Sequence, residues 1–269
     1  MNSKIWFITG ASHGLGREWA LGVLRRGSRV AVAARNIGPL EAMRDDFGDA
    51  VLPLQLDVTN RAACIDAVAA THNHFGRIDV VVNNAGYGYL GCVEELSESG
   101  IRAQMETNFF GAVWITQAAL PYLRQQRSGH ILQVTSVGGL TAAADIGAYS
   151  ASKFALEGLS EALAHEVKPF GINVTMIEPG LYGTNFHPAA TWADKMPAYA
   201  EAHERAAEAL DRMLGSASDP ADTVDSILAV VDAAAPPLRL LLGPGMFDLM
   251  KSVYGKRLAE WGSCSESDT

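Results

Sequence analysis

Residues 9–16 read Thr9-Gly10-Ala11-Ser12-His13-Gly14-Leu15-Gly16. This glycine-rich turn follows an apolar run over 5–9, which predicts a β-strand, and it precedes a segment over 17–26 that predicts a helix. Glycine adopts positive φ angles easily and lets a ligand approach the backbone closely. The N-terminus of the next helix offers unpaired N–H groups and partial positive charge to a pyrophosphate. An ordinary strand-to-helix turn is the alternative, but the flanking strand and helix favour a nucleotide-binding turn.

The rest of the chain alternates short apolar runs with helical patterns. Further strands are predicted at 29–34, 51–57, 80–83, 130–135, 173–177 and 238–242. Helices are predicted at 40–47, 61–75, 101–126, 149–168 and 222–234. Continuous Val/Ile/Leu runs are typical of strands buried on both faces, and alternation with helices favours parallel pairing. We expect an α/β fold in one domain over 1–269, with a doubly wound parallel sheet of about seven strands flanked by helices.

Composition narrows the class of protein. Of the 269 residues, 48% are hydrophobic and 19% are charged, which permits a sizeable core. The net charge of -9 argues against nucleic-acid or membrane partners, because both require clustered Lys and Arg. No apolar run reaches the ~18 residues of a membrane helix, and the run at 5–8 is too short for a signal peptide. Cys64, Cys92 and Cys264 form no CxxC motif, so we expect free thiols in a cytoplasmic protein.

The end of the second predicted strand indicates which nucleotide binds. An acidic residue at this point would hold the ribose hydroxyls of NAD, whereas an arginine accepts the 2′-phosphate of NADP. The strand ends Ala33-Ala34-Arg35-Asn36, with no carboxylate. Arg35 therefore favours NADP(H), and His13 in the glycine turn offers a second contact. The alternatives are a solvated surface charge for Arg35 and no role for His13.

A tyrosine and a lysine stand four positions apart at the start of a predicted helix. Tyr149 and Lys153 share a helix face at this spacing. A nearby cation lowers the tyrosine pKa from about 10 and so makes it a better acid/base. The pair alone is a weak signal, since both residues are common on helix surfaces. Ser136, which follows the strand at 130–135, strengthens it, because ligands bind at the carboxyl ends of parallel strands and its hydroxyl can hold a substrate oxygen.

Together these motifs resemble the short-chain dehydrogenase/reductase family. The resemblance runs over residues 4–184 and more loosely to residue 242. Its further motifs are Asp57-Val58, Asn83-Asn84-Ala85-Gly86, Asn108 and Pro179-Gly180 with Thr184. It implies a Rossmann-like fold and an enzyme that interconverts a ketone or aldehyde and an alcohol.

The resemblance implies a catalytic role for four residues. Tyr149 exchanges a proton with the substrate oxygen, and Ser136 orients the carbonyl. Lys153 lowers the pKa of the tyrosine and holds the nicotinamide ribose. Asn108 kinks its helix and links Lys153 to a water molecule that carries protons.

The resemblance also implies a set of cofactor contacts. Asp57 and the Val58 backbone contact adenine, while Pro179, Gly180 and Thr184 face the nicotinamide. Tyr149 and Lys153 belong to the same set. The other predicted cofactor contacts are Gly10, Ser12, His13, Gly14, Leu15, Gly16, Arg35, Asn84, Ala85 and Gly86.

Two other functions remain open on this fold. One is a dehydratase or epimerase that binds NADP without net redox change, and the other is a non-catalytic NADP-sensing regulator. No metal is implied, and His72 and His74, two positions apart, do not share a helix face. The expected partner is a small-molecule carbonyl or alcohol. The resemblance also implies a homodimer or homotetramer that pairs through the helices at 101–126 and 149–168.

The segment at about 185–215 is predicted to be a mobile lid over a bulky, mostly apolar substrate, and a tail follows at about 244–269. Pro188 and Pro197 break any single helix in the lid. A helix over 198–214 would turn Tyr199, Leu210 and Met213 inward. The apolar lid residues are Phe186, Trp192, Met196, Tyr199, Leu210, Met213 and Leu214, and the predicted opposite wall is Tyr87, Tyr89 and Leu140. The alternative is that these residues only complete the core.

Overall fold

A computed structural model describes residues 3–184, 186, 188–215 and 217–264. Nine strands occur in these ranges, and seven of them form the main sheet. The seven are β1 Ile5–Thr9, β2 Arg29–Ala34, β3 Val51–Gln55, β4 Val80–Asn83, β6 Gly129–Val134, β7 Ile172–Pro179 and β9 Arg239–Leu242. The other two, β5 Tyr89–Leu90 and β8 Thr191–Trp192, form a small separate sheet.

Helices cover both faces of the main sheet. In chain order they are α1 Gly14–Arg25, α2 Gly38–Phe47, α3 Arg61–Phe75, α4 Glu98–Met105, α5 Gly111–Gln126, α6 Gly147–Val167, α7 Ala200–Leu214, α8 Val224–Asp232 and α9 Met246–Cys264. None of the described helices has the length and apolar character that crossing a bilayer requires.

The main sheet is entirely parallel, with strand order β3-β2-β1-β4-β6-β7-β9. This confirms the predicted doubly wound α/β sheet of seven strands. The chain moves outward from β1 to β3 and then returns to place β4 on the other side of β1. Such a reversal of strand order opens a crevice at the carboxyl ends of the strands. The glycine turn leaves β1 at this crevice.

The core lies in two layers, one on each face of the sheet. Successive side chains of a strand point to opposite faces, so Trp6 and Ile8 enter one layer while Ile5 and Phe7 enter the other. Helices α1, α2 and α8 cover the first layer, and α3, α5 and α6 cover the second. Because both faces are covered, the strands are mostly apolar, and the polar groups of the site lie at the strand ends.

Three segments differ from the prediction. The helix expected at 101–126 begins at Glu98 and contains a π-helical turn, Glu106–Phe110, between α4 and α5. The first helix begins at Gly14 rather than at residue 17, because the last glycines of the turn are themselves helical. The tail expected at 244–269 contains the 19-residue helix α9. Cys64 and Cys92 are free thiols, whereas the Cys264 side chain lies outside the described residues.

Candidate active site

The glycine turn is held against the end of β4 by a compact set of hydrogen bonds. The Thr9 hydroxyl accepts from the backbone N–H groups of Asn84 and Ala85, both at 3.0 Å. The Asn84 side-chain amide donates to the carbonyls of Thr9 at 2.9 Å and Gly10 at 3.1 Å. A Cβ atom on Gly16 would lie 2.4 Å from the Asn84 amide nitrogen. The close approach of turn and strand therefore requires glycine at position 16.

A cavity of about 1270 Å³ runs along the carboxyl edge of the sheet. Most of the predicted site residues line it. These are Gly10, His13, Gly14, Leu15, Arg35, Asp57, Asn84, Ala85, Gly86, Ser136, Tyr149, Lys153, Pro179, Gly180 and Thr184.

Four predicted residues lie outside this lining: Ser12, Gly16, Val58 and Asn108. Gly16 packs on the Asn84 amide, as described above, and the Val58 side chain packs against Gly111, where an added Cβ would approach it to 2.7 Å. Asn108 is buried beneath the cavity floor. Gly16 and Asn108 thus contact residues that line the cavity, Asn84 and Tyr87, whereas Gly111 beside Val58 does not line it.

Tyr149 and Lys153 occupy the first two turns of α6 and face the cavity together. The Lys153 ammonium nitrogen lies 5.8 Å from the centre of the Tyr149 ring and donates to the Val134 carbonyl at 2.7 Å. The Ser136 hydroxyl oxygen accepts from the Gly138 N–H at 3.0 Å and also hydrogen-bonds with Tyr149. The phenol, ammonium and hydroxyl groups thus line the same cavity.

The protonation of this group differs from the expectation for Tyr149. Desolvation raises the pKa of Tyr149 to about 12, although its hydrogen bond with Ser136 acts in the lowering direction. Desolvation lowers the pKa of Lys153 to about 8, against the raising effect of the Glu157 charge. The predicted lowering of the tyrosine pKa is therefore absent here, because burial raises the pKa by more than the Ser136 hydrogen bond lowers it. Tyr149 is a neutral phenol at physiological pH.

Asn108 lies in the π-helical turn, which is the helix distortion predicted for it. Its amide nitrogen donates to the Tyr87 carbonyl and the Ser152 hydroxyl, both at 3.0 Å, and its carbonyl accepts from the Tyr87 N–H at 3.0 Å. A Cβ on Gly86 would lie 3.1 Å from that carbonyl and 3.6 Å from the Lys153 ammonium. Asn108 thus fixes the chain that follows β4 beside Lys153.

Part of the segment predicted to be a lid packs on Tyr149. The Phe186 ring meets the Tyr149 ring edge-to-face, with centroids 5.2 Å apart. Trp192 and Leu210 also line the cavity. Together these three aromatic and aliphatic groups give the cavity an apolar side above Tyr149.

Other lid residues are oriented differently from the prediction. Met196 and Tyr199 do not line the cavity. The Tyr199 hydroxyl donates to the Glu94 carboxylate, and the Met196 N–H donates to the Glu95 carboxylate at 2.7 Å. These contacts anchor the lid to the turn that follows β5. The Met213 and Leu214 side chains lie outside the described residues.

The opposite wall is formed by Tyr87 and Leu90, whereas Tyr89 and Leu140 do not line the cavity. The prediction for the latter two was wrong. Adjacent residues of a strand point to opposite sides, so Leu90 faces the cavity while Tyr89 turns towards α4. There the Tyr89 ring packs on Gly100, where a Cβ would clash at 2.3 Å.

One charged cluster beside the site was not predicted. Glu157 lies one helical turn beyond Lys153, and its carboxylate pairs with Arg239. Arg239 also pairs with Glu178 at 2.9 Å and Glu161 at 3.1 Å. The spacing of Tyr149, Lys153 and Glu157 at successive helical turns was the available sequence signal.

The fold and this cluster of phenol, ammonium and hydroxyl groups define an oxidoreductase on a doubly wound sheet. A family model described as short chain dehydrogenase matches residues 4–194. Oxidoreductase BOA17 of Botryotinia fuckeliana is 40% identical over 270 residues, covering 98% of this chain and 96% of the relative. The chain belongs to the short-chain dehydrogenase family, and it is an oxidoreductase acting on alcohol or carbonyl groups.

Two further comparisons agree. A 3-ketodihydrosphingosine reductase of Bacteroides thetaiotaomicron is 36% identical, covering 91% of this chain and 89% of the relative. A solved short-chain dehydrogenase from Streptomyces avermitilis is 36% identical with a TM-score of 0.91, covering 97% of this chain and 96% of the other. Solved structures with the same fold contain either NAD or NADP+.

Proposed function

We propose that this protein reduces a ketone or aldehyde to an alcohol with NADPH, with Tyr149 as the proton donor. One observation carries the proposal. A single cavity has Arg35 and His13 at one part of its wall and Tyr149, Ser136 and Lys153 at another. An extended cofactor and a carbonyl substrate both fit such an arrangement.

The residues at the turn fit a dinucleotide. His13 is the N-cap of α1, and its side chain makes no capping hydrogen bond. The first N–H groups of α1 therefore remain available to a pyrophosphate. Gly10 and Gly14 have φ angles of +66° and +58°, a region that disfavours other residues. Arg35, at the end of β2 where no acid stands, supports NADP(H) over NAD(H).

The protonation of the site suits reduction. When bound, the nicotinamide supplies a hydride to the carbonyl carbon. Tyr149, whose pKa is about 12, holds its proton at neutral pH and donates it to the carbonyl oxygen. Ser136 orients that oxygen through its hydroxyl, and the Lys153 ammonium, whose pKa is about 8, stabilises the phenolate that is left.

The apolar wall supports a bulky, mostly apolar substrate. Phe186, Leu90, Trp192 and Leu210 all contribute to it, and ligand pockets are mainly lined by such groups. The name of the Bacteroides relative, a ketone reductase, supports a ketone as the reacting group. We also propose one catalytic domain over 1–269, a lid at about 185–215, a homodimer or homotetramer, and a cytoplasmic location.

The test is a screen for NADPH consumption over apolar ketones, with product measured alongside. We expect one alcohol formed for each NADPH consumed. Product without net NADPH consumption would contradict reduction and support a dehydratase or epimerase. Binding of NADPH without turnover of any carbonyl would support a sensing role instead.

A further inference from the structure

One histidine of the lid helix is held between two carboxylates of the protein body. His203 lies on α7 and is 6% exposed. Its Nδ1 atom lies 3.0 Å from a carboxylate oxygen of Asp145, and its Nε2 atom lies 2.8 Å from one of Glu95. Glu95 follows β5, and Asp145 lies two positions before the start of α6. A single side chain therefore joins the lid to two separate segments of the body.

Both contacts require a charged ring. Neutral imidazole carries one N–H, whereas imidazolium carries two, so donation to both carboxylates needs the protonated form. The hydrogen bonds with Asp145 and then Glu95 raise the pKa of His203, although burial opposes them. The pKa of Glu95 is lowered despite burial, through hydrogen bonds from the Met196 N–H, His203 and the Cys92 N–H.

The other titratable groups beside the histidine are a neutral thiol and a carboxylate that bonds to a different residue. Burial raises the pKa of the Cys92 thiol to about 11, so it stays protonated and donates to Asp145 at 3.2 Å. Glu94, the neighbour of Glu95, is bonded by Tyr199 rather than by the histidine. The imidazolium therefore faces two carboxylates and a neutral thiol.

These four groups, Cys92, Glu95, Asp145 and His203, also lie close enough to hold a metal ion. In this structure the four side chains are joined by hydrogen bonds. The two ring nitrogens each lie within hydrogen-bond distance of a different carboxylate. A bound metal would replace the hydrogen bond at one of these nitrogens and would bind Cys92 as a thiolate.

The backbone at Asp145 fixes the carboxylate in place. Asp145 has a φ of +66°, a region that residues other than glycine rarely adopt. Its carbonyl accepts from the Gly91 N–H at 2.7 Å, which ties it to the chain beside β5. Tyr149 follows only four positions later, so the histidine connects α7 to the start of the helix that carries the acid.

We propose that His203 is a positioning residue that clamps α7 over the substrate side of the cavity and thereby sets the affinity for the carbonyl substrate. Ala202, Ala206 and Leu210 of the same helix line that cavity. Asp145 and His203 line it as well, and the ring of His203 hydrogen-bonds with Asp145 and Glu95. The kinetic test of this inference rests on the proposed reduction at Tyr149, whereas the test by trypsin cleavage does not.

The clamp has a defined pH dependence. A histidine with a raised pKa contributes fully at low pH and loses its contribution as pH rises through that raised value. The loss falls above the ordinary histidine pKa of about 6.5. Once one proton leaves, a ring nitrogen without hydrogen faces a carboxylate, and the lid loosens. KM for the ketone should therefore rise with pH, while kcat should still follow the protonation of Lys153.

The first experiment compares native protein and His203→Gln over a range of pH. Glutamine is neutral and reaches at most one carboxylate with its amide N–H groups. At low pH we expect the variant to raise KM about tenfold and to change kcat little. A tenfold change in KM is smaller than the full contribution of a charge-assisted hydrogen bond. The KM of the variant should then be independent of the histidine titration that appears in the native protein.

The matched control is Tyr199→Phe. It removes another lid contact to the same turn, but from a group that does not titrate near neutral pH. Any rise in its KM should keep the native dependence on pH. Identical KM profiles for native protein and His203→Gln would overturn the proposal, as would a histidine titration that persisted in the variant.

A second measurement needs no activity. Lys195 and Arg205 are exposed trypsin sites within the lid. Near neutral pH we expect faster cleavage at these sites in His203→Gln than in native protein, with the difference shrinking at alkaline pH. Failure of the proposed reduction would leave this result intact, whereas equal cleavage rates would overturn the clamp. Stoichiometric metal in native protein that is lost in the variant would also overturn it.

Should His203→Gln fail to fold, Asp145→Asn provides the same test. Asparagine tolerates the positive φ and keeps a side-chain carbonyl acceptor, but it removes one charge. The pKa of His203 should then fall, and the rise in KM should move to lower pH. An unchanged profile in a folded Asp145→Asn variant would contradict the clamp.

Discussion

The cofactor side and the lid side of the cavity are held together by different kinds of contact. On the cofactor side, Thr9, Asn84 and Lys153 bond to backbone groups at strand ends. On the lid side, the contacts of His203 and Tyr199 are made between side chains, with carboxylates as partners. Backbone partners are fixed by the sheet itself, whereas carboxylate partners depend on which residues occupy a few loop positions.

We infer from this difference that the cofactor side determines the reaction and the lid side determines which substrate binds. The proposed reacting groups stand at β-strand ends and on α6 rather than in the lid, so we expect most changes in the lid to leave their geometry intact. The lid attaches through charged groups and the short β5–β8 pairing. We therefore expect substitutions on the cofactor side to change turnover or cofactor preference, and substitutions in the lid to change the choice of substrate.

The largest effect is expected from Tyr149→Phe, which tests whether the chemistry is confined to the strand-end groups. Only the hydroxyl is removed, so NADPH binding should persist while turnover falls by ~10²–10⁴-fold. The measurement is kcat for ketone reduction together with NADPH affinity by fluorescence. Tyr122→Phe, which keeps its ring stacked on His72, is the control. Near-native turnover of Tyr149→Phe would show that another group is the acid.

The next effect in size concerns the cofactor. Arg35→Asp should remove the preference for NADPH over NADH, since a charge-assisted contact to phosphate contributes about 1.5–3 kcal/mol, or roughly 10- to 100-fold. The ratio of kcat/KM for the two cofactors measures it. Arg44→Asp, an exposed charge on α2 outside the cavity lining, should leave the ratio unchanged. Equal use of both cofactors by native protein would contradict the role of Arg35.

The cofactor side was predictable from sequence because its signals are local. The glycine turn, the end of β2 and the Tyr149–Lys153 spacing are each contained in a few consecutive residues. Strand ends then bring them together through the regular geometry of a parallel sheet. The error in the direction of the Tyr149 pKa arose because the spacing reveals a nearby cation but not the burial of the phenol, which raises its pKa.

The lid side was less predictable because its contacts are distant in sequence. The partners of His203 stand 58 and 108 positions away, and no spacing rule connects them. The wrong orientation of Tyr89 has a similar cause. Its direction depends on the pairing of β5 with β8, which the sequence does not reveal. Leu90 was overlooked for the same reason.

A smaller effect should distinguish two exposed lid residues that looked equivalent in sequence. Trp192 lines the cavity, whereas Met196 does not. Trp192→Ala should change the ratio of kcat/KM between bulky and small ketones by about tenfold, on the scale of a lost apolar contact, with NADPH affinity nearly unchanged. Met196→Ala is the matched control and should leave the ratio as in native protein. A larger effect at Met196 than at Trp192 would reverse the assignment of the pocket wall.

The smallest effect tests whether the Glu157 carboxylate changes the pH dependence of kcat through the pKa of Lys153. Protonated Lys153 assists reduction, and its pKa is about 8, so kcat should fall as pH rises through that value. Glu157 raises the pKa of Lys153, so Glu157→Gln should move the decline to lower pH and reduce kcat severalfold at mildly alkaline pH. Glu161→Gln is the control, because it removes a different partner of the same Arg239 side chain. A loss of activity common to both variants would indicate that the Arg239 cluster supports the packing of β9 on α6. A decline that shifts only in Glu157→Gln would show that the carboxylate acts through the lysine.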